Sequence, residues 1–282
     1  MKGFINIYKP SGMSSAAVVS VVKRKLNTPC GHFGTLDPMA EGILPVGIYK
    51  TTRLFDYTLD KEKQYTARFV FGKTTDTLDT TGNISAECEV FPTSEQIKSI
   101  LPEFIGDIMQ VPPKFSAKCI DGKRGYALAR RGVDFELAPK KVRINNITLK
   151  EQISKEEFEF VIDCKGGTYI RSLARDIANR CGTVGVMSKL VRTKVGVFNI
   201  ENSVPLSEFK ETDTPEKYIL PADIAVDYEK LVLTSEQATK ILNGVFENYG
   251  YADGIYRVYN ENEFWGIGIS EKGVLKIKAY VR

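Results

Sequence analysis

Apolar and polar positions along this 282-residue chain predict a mixture of helices and strands. Residues 3–9 are short, apolar and strand-like. Ser14 or Ser15 can cap a helix, and Val18, Val21, Val22 and Leu26 then recur at helical spacing, which predicts a helix ending near Leu26. YTARFVF at 65–71 alternates and predicts a strand. Thr93 and Gln96 carry the capping-box signature and open a helix with Ile97, Ile100, Leu101 and Phe104 on its core side. Residues 142–150 and 158–164 alternate again, with Phe158, Phe160, Ile162 and Cys164 sharing one face of the second strand. Past Gly166-Gly167, the residues Ile170, Leu173, Ala174, Ile177, Ala178 and Cys181 recur at helical spacing, and Gly182 is suited to end that helix. Thr234 and Gln237 can cap a short helix ahead of strand-like GIYRVY, FWGIGIS and VLKIKAYVR. The order predicts an α+β fold with mainly antiparallel strands. Residues 201–227 are polar, with prolines at 205, 215 and 221. They read as a boundary, with a large domain over 1–205, a linker over 206–227 and a small domain over 228–282.

One stretch fits neither period. GHFGTLDPMAEGILPVG at 31–47 carries four glycines and two prolines, too irregular for a helix and too broken for a central strand. It reads as a shaped loop, and loops on rigid scaffolds carry function disproportionately. It holds His32, the only histidine of the chain, and Asp37 between Leu36 and Pro38. An aspartate before proline is most often a turn residue. The surrounding glycines, however, would let the backbone approach a ligand closely. With an ordinary pKa of about 4, an aspartate is ionised at neutral pH and can serve as a carboxylate nucleophile without a base.

Composition narrows the classes. Hydrophobic content of 43% and charged content of 26% are those of a globular protein. No apolar run reaches membrane-span length and the N-terminus lacks the apolar core of a signal peptide, so a cytoplasmic protein without membrane contact is expected. Five widely spaced cysteines with no C-x-x-C pair argue against a disulfide framework and a zinc ribbon, and one histidine excludes a site needing two imidazoles. No metal is expected. The net charge of +4 is unevenly spread: residues 201–282 carry 9 Lys/Arg against 14 Asp/Glu. Residues 165–194 hold seven basic residues against Asp176, and residues 114–143 hold nine against three. Two such patches suit either a solvated surface or an anionic partner such as nucleic acid.

FGKTTDT at 71–77 contains a G-K-T, but a phosphate-binding loop would need glycine at position 67, where Ala67 stands. Thr75, Asp76 and Asp79 read as a turn held by its own side chains or as a polar lining of a site. No G-x-S-x-G elbow is present and no nucleophilic Ser or Cys is marked as a partner of His32. Tyr169 and Arg171 lie two apart at a strand-to-helix junction. If that stretch is extended, both side chains project to one side, where Arg171 could meet a carboxylate and Tyr169 could present a flat face to a base. Arg171 and Arg175 also form a like-charge i,i+4 pair, which is easier to rationalise if one meets an anion. Tyr65 by itself reads as a core or edge aromatic, and Lys9 as part of a turn.

Taken in order, these blocks resemble the bacterial tRNA pseudouridine-55 synthases, the TruB family. The resemblance is carried by YKPSGMSS at 8–15, GHFGTLDPMAEGILPV at 31–46, KQYTARFVFGKTTDTLDTTG at 63–82, VPPKFSAKCIDGKRGYALARRG at 111–132 and CKGGTYIRSLARDIA at 164–178. In the fourth block Lys118 is followed by Cys119, a slight departure. Residues 228–282 resemble only loosely the small PUA-like RNA-binding domain that ends many members. The resemblance implies a pseudouridine-synthase fold, with a mixed, largely antiparallel sheet and a central cleft. It implies an isomerase that converts uridine-55 of the tRNA T loop to pseudouridine, with no cofactor and no obligatory protein partner. By position, Asp37 matches the nucleophile and Arg171 the arginine that pairs with it. Tyr65 and Tyr169 match tyrosines at the target base, Tyr65 being also a candidate general base. Leu190 matches a base-packing leucine, His32 a histidine that holds the rearranged RNA loop, and Lys9 a supporting lysine. Asp76 falls in the block that lines the substrate site. Whether the carboxylate attacks C6 of the base or C1′ of the ribose stays open. The alternative is a tRNA-binding or folding factor in which catalysis is dispensable.

Overall fold

The computed structural model describes residues 1–58, 62–116, 119–120, 123–125, 131, 133 and 135–282. The chain packs as two compact units, residues 1–60 with 195–282 and residues 61–194, so the second is inserted in the sequence of the first. The main elements, in chain order, are β1 (Gly3–Lys9), α1 (Ser15–Leu26), β2 (Cys30–His32), β3 (Glu41–Ile48), β4 (Lys63–Phe71), α2 (Ser94–Ile100), β5 (Gly106–Gln110), β6 (Lys140–Gln152), β7 (Glu157–Cys164), α3 (Ile170–Arg180), β8 (Gly185–Val195), β9 (Glu229–Leu233), α4 (Ser235–Leu242), β10 (Asn248–Tyr251), β11 (Gly254–Asn260), β12 (Glu263–Glu271) and β13 (Gly273–Tyr280). Most strand pairs are antiparallel. Parallel pairs join β1 to Val204–Pro205 and β9 to β11, so the fold is mixed α+β as predicted.

In the first unit β3 runs antiparallel to β1 from Gly42 opposite Lys9 to Ile48 opposite Gly3, and β2 pairs with its C-terminal half. Both faces of this layer are buried. Ile5, Ile7, Leu44, Val46 and Ile48 pack with Val18, Val22 and Leu26 of α1. Phe4 and Ile43, on the opposite face, pack with Phe33, Leu54, Phe264 and Ile267. The C-terminal residues form a five-stranded sheet in the order β9-β11-β12-β13-β10. Its other face buries Trp265, Val258 and Leu275 with Ala238 and Ile241 of α4. In the second unit the strands run in the order β8-β4-β7-β6-β5. Phe69 stacks on Phe160 with ring centroids 4.7 Å apart, and α3 packs over β4 with Leu173, Ala174, Ile177 and Ala178 buried.

The helix starts follow the sequence closely. Ser14 caps α1 by accepting from Ala17 N, and Thr93–Gln96 and Thr234–Gln237 form complete capping boxes on α2 and α4. Two expectations fail and one open alternative is decided. The run 31–47 is not one loop: β2 takes up Gly31 and His32, and β3 is a strand buried at seven of its eight residues, leaving Phe33–Ala40 as the loop. A strand buried on both faces has no alternation to read, and its glycines serve packing. A Cβ on Gly47 would stand 2.5 Å from Phe33 Cε2, so only glycine lets that ring lie across the strand. Residues 206–227 do not form a free linker. Leu206, Phe209, Ala222, Ala225 and Val226 are buried in the first unit, so the packing divides the chain elsewhere than at a boundary after 205. Finally, Tyr169 is extended (φ −101°, ψ 109°) but Arg171 already lies in the first turn of α3, so the two do not share a strand face.

Candidate functional site

The first unit presents Asp37 from the loop between β2 and β3, and that loop is tied at Leu36, Pro38 and Met39 to Lys9 and the segment following β1. Leu36 is pinned from both directions by Ser15, whose Oγ donates to Leu36 O (2.9 Å) and accepts from Leu36 N (2.8 Å). Pro38 O accepts from Gly12 N at 2.8 Å and from Lys9 Nζ at 3.2 Å. Met39 O accepts from Ser11 Oγ at 2.8 Å. Ala40 N donates to Asp37 O at 3.1 Å and closes the turn. Asp37 itself is half-buried between these clamped neighbours. Lys9 is fully buried at the end of β1, and its ammonium also donates to Pro10 O (2.9 Å) and Met13 O (2.6 Å). A buried cation with several carbonyl acceptors ties the turn after β1 to the loop before β3 at one point. His32 stands just before the loop, on β2, opposite Val46. From sequence, Ser15 reads only as a possible helix cap, and Ser11 and Gly12 only as part of the block at 8–15, not as supports of the Asp37 loop. Their signal is the S-G-M-S-S run after Lys9, where small residues and hydroxyls accumulate in a turn.

The second unit holds the remaining candidates. Tyr65 lies on β4, opposite Ile162 of β7, and is buried. Leu190 is buried on β8. Tyr169 occupies the N-cap position of α3, and its backbone is held by the buried Gln110 at the end of β5. Tyr169 N donates to Gln110 Oε1 at 2.8 Å, and Gln110 Nε2 returns a bond to Tyr169 O at 3.1 Å. Arg171, 5% exposed, sends Nη1 to Thr77 O (2.8 Å) and Nη2 to Phe115 O (2.9 Å), with Asp79 Oδ2 at 3.6 Å from Nη1. Asp79 is buried and accepts from Thr77 Oγ1 (2.9 Å) and Thr81 N (3.0 Å). The turn it organises is bound to β8 through Thr80 N and Met187 O at 3.1 Å. Asp76, by contrast, is exposed and caps Asn83 N at 2.9 Å. Of the two aspartates in this block, Asp79 is therefore the one built into the Arg171 contacts. The D-T-x-D spacing contained that choice but could not make it.

The basic segment 165–194 also changes meaning. Arg171 and Arg192 are buried, and Arg180 is bonded to Glu103. Arg175 bonds Asp176, and the exposed basic residues of the segment are Lys165, Arg180, Lys189 and Lys194. Arg192 is 1% exposed, and its guanidinium bonds the Tyr65 hydroxyl. Burial pulls its pKa below the ordinary arginine range, and the Tyr65 contact opposes that shift. Within the segment 114–143, residues 117–118, 121–122, 126–130, 132 and 134 lie outside the described residues, Lys118 among them. Among the described residues there is no cluster of metal-ligating side chains and no helix long and apolar enough to cross a membrane.

The family model for the TruB family pseudouridylate synthase N-terminal domain matches residues 23–170. The chain belongs to the TruB family. A second model, for the tRNA pseudouridylate synthase B C-terminal domain, matches residues 171–227. Among curated relatives, tRNA pseudouridine synthase B of Aquifex aeolicus (strain VF5) is 39% identical over 284 residues, covering 99% of either chain. The protein of the same name from Alkaliphilus oremlandii (strain OhILAs) is 40% identical over 280 residues, 95% of this chain and 93% of its own. A solved structure of an H/ACA RNP bound to a substrate RNA containing 2′-deoxyuridine superposes with a TM-score of 0.73 at 23% identity, covering 99% of this chain and 85% of that one. The fold is that of the TruB-type pseudouridine synthases, and the activity class of the family is an isomerisation.

Proposed function

We propose that this TruB-family protein isomerises uridine-55 in the T loop of tRNA to pseudouridine, with Asp37 as nucleophile. The observation that carries the reading is the clamped loop at 36–39, in which both residues flanking Asp37 are fixed by Lys9, Gly12 and Ser15. A nucleophile must be presented within a few tenths of an ångström of its target, and a loop with so many fixed carbonyls meets that need. The names of the curated relatives, tRNA pseudouridine synthase B, support tRNA as substrate.

The reaction breaks the N1–C1′ bond, turns the uracil, and joins C5 to C1′. The C5 proton is removed and N1 regains one, so atoms and electrons balance without a cofactor. Asp37 attacks either C6 or C1′ and leaves again as the free carboxylate, from C1′ as C5 joins it or from C6 once the new bond is made; Arg171 aligns the carboxylate, and Tyr65 meets the base and is the candidate general base. Tyr169 offers a face to the base, Leu190 packs on it, Asp76 lines the substrate side, and His32 holds the rearranged loop. The target nucleotide must leave its stack, at a cost of a few kcal/mol. An aromatic face returns roughly 1–3 kcal/mol per stacked base. The five-stranded sheet of residues 229–280 is proposed as the PUA-like RNA-contacting part.

The test is a pseudouridine map of unmodified tRNA treated with the protein and with Asp37→Ala. The wild type marks position 55 and the variant binds tRNA without marking it. Pseudouridine formed by Asp37→Ala would remove Asp37 from the chemistry, and a wild type that binds tRNA without marking it would favour the binding-factor alternative.

A further inference from the structure

We propose that Arg192 is a positioning residue for the isomerisation, acting through Tyr65. The inference rests on the reading of Tyr65 as a residue that meets the target base. β8 lies beside β4, where Ser188 Oγ donates to Arg68 O (3.2 Å) and Thr193 Oγ1 to Gln64 O (3.3 Å). Leu190 and Arg192 are two apart on β8 and therefore share a face, as Tyr65, Ala67 and Phe69 do on β4. All five are buried, and Arg192 ranks with the largest fully enclosed side chains of the protein. A guanidinium on an apolar sheet face is expensive to desolvate, and an aliphatic side chain would fill the space at lower cost. What the guanidinium adds is a donor of fixed direction. Arginine has only donors, so the phenolic oxygen of Tyr65 accepts from it. That bond sets the ring's position and leaves the phenol proton and the second lone pair facing away from Arg192. A tyrosine held this way is presented in one orientation, whereas an unrestrained phenol would turn and lose alignment with a reacting atom.

The test is single-turnover kinetics on a T-arm RNA with Tyr65→Phe, Arg192→Lys and the double variant. Lysine keeps the charge but cannot reproduce the planar fork. Arg192→Lys is expected to slow turnover by on the order of 10²-fold, the usual cost of misplacing a reacting group by about 1 Å, with KM changed by less than about two-fold. The double variant is expected to be no slower than the slower single variant, because both substitutions remove one contact. Losses that multiply, or a change confined to KM, overturn the proposal. If Tyr65→Phe is slow while Arg192→Lys turns over at the wild-type rate, the role of Arg192 fails and that of Tyr65 stands. If Tyr65→Phe turns over at the wild-type rate, both fail. Should Arg192→Lys not fold, fluorine NMR of the wild-type chain with 3-fluorotyrosine at position 65 tests the same restraint. A ring held in one orientation supports it, and a ring that exchanges freely between orientations overturns it.

Discussion

Replacing Lys9 by Met tests whether the loop carrying Asp37 is held by the buried ammonium. Lys9 Nζ donates to Pro10 O at 2.9 Å, Met13 O at 2.6 Å and Pro38 O at 3.2 Å. Hydrogen bonds from a charged donor contribute about 1.5–3 kcal/mol each, so the gross loss is several kcal/mol. Two terms reduce it. The desolvation cost of burying the ammonium disappears with the charge. Pro10 and Pro38 are exposed residues, so their carbonyls can turn to water. A net destabilisation of about 2–3 kcal/mol remains, which for a chain of this size lowers Tm by roughly 4–12 °C. The effect on chemistry should be larger than on folding, because Pro38 follows Asp37 directly and its carbonyl loses a donor. A shift of about 1 Å in the carboxylate costs on the order of 10²-fold in rate. Calorimetry gives the first quantity and single-turnover pseudouridine formation on a T-arm RNA the second. A variant with lowered Tm but wild-type turnover would show that Lys9 supports the fold without positioning Asp37, and the reasoning would be wrong.

Arg171→Lys should lower turnover at least ten-fold while leaving tRNA affinity within about two-fold, since an ammonium cannot reach Thr77 O, Phe115 O and Asp79 from one plane; a loss of affinity alone would make Arg171 an RNA-backbone contact. Glu159 is the subject of a pH prediction. Its carboxyl is held below the usual 4.5 mainly by the hydrogen bond from Lys150, with burial opposing and Arg68 assisting. The depressed value means its stabilisation is complete above the unfolded pKa and is lost as pH falls through the folded one. The Tm advantage of the wild type over Glu159→Gln should therefore shrink below about pH 4.5, and a difference that stays constant down to about pH 3 would refute it.

Much of the fold was legible because local signals and tertiary packing agree in it. The capping residues at Ser14, Thr93 and Thr234 act within one turn of chain, so their chemistry needs no distant partner. Phe158, Phe160, Ile162 and Cys164 alternate because one face of β7 is buried. β3 escaped notice because both of its faces are covered and period-two alternation vanishes. Residues 206–227 looked like a linker because of their prolines and clustered polar residues, yet Leu206, Phe209, Ala222, Ala225 and Val226 among their apolar side chains are buried.

For the candidate site, the sequence by itself determined which residue types are available and in what order: a lone Asp37 in a glycine-rich run, Lys9 before a small-residue turn, an arginine opening α3. Ordered motifs of that kind are properties of the chain and survive without coordinates. Tertiary structure alone decided which polar groups meet. It joined Asp79 rather than Asp76 to Arg171, and placed Arg192, counted among the surface charges, behind Tyr65. The physical reason is that burial and hydrogen-bond geometry depend on strands and turns distant in sequence. A charged residue looks the same in a sequence whether water or a phenol completes its coordination.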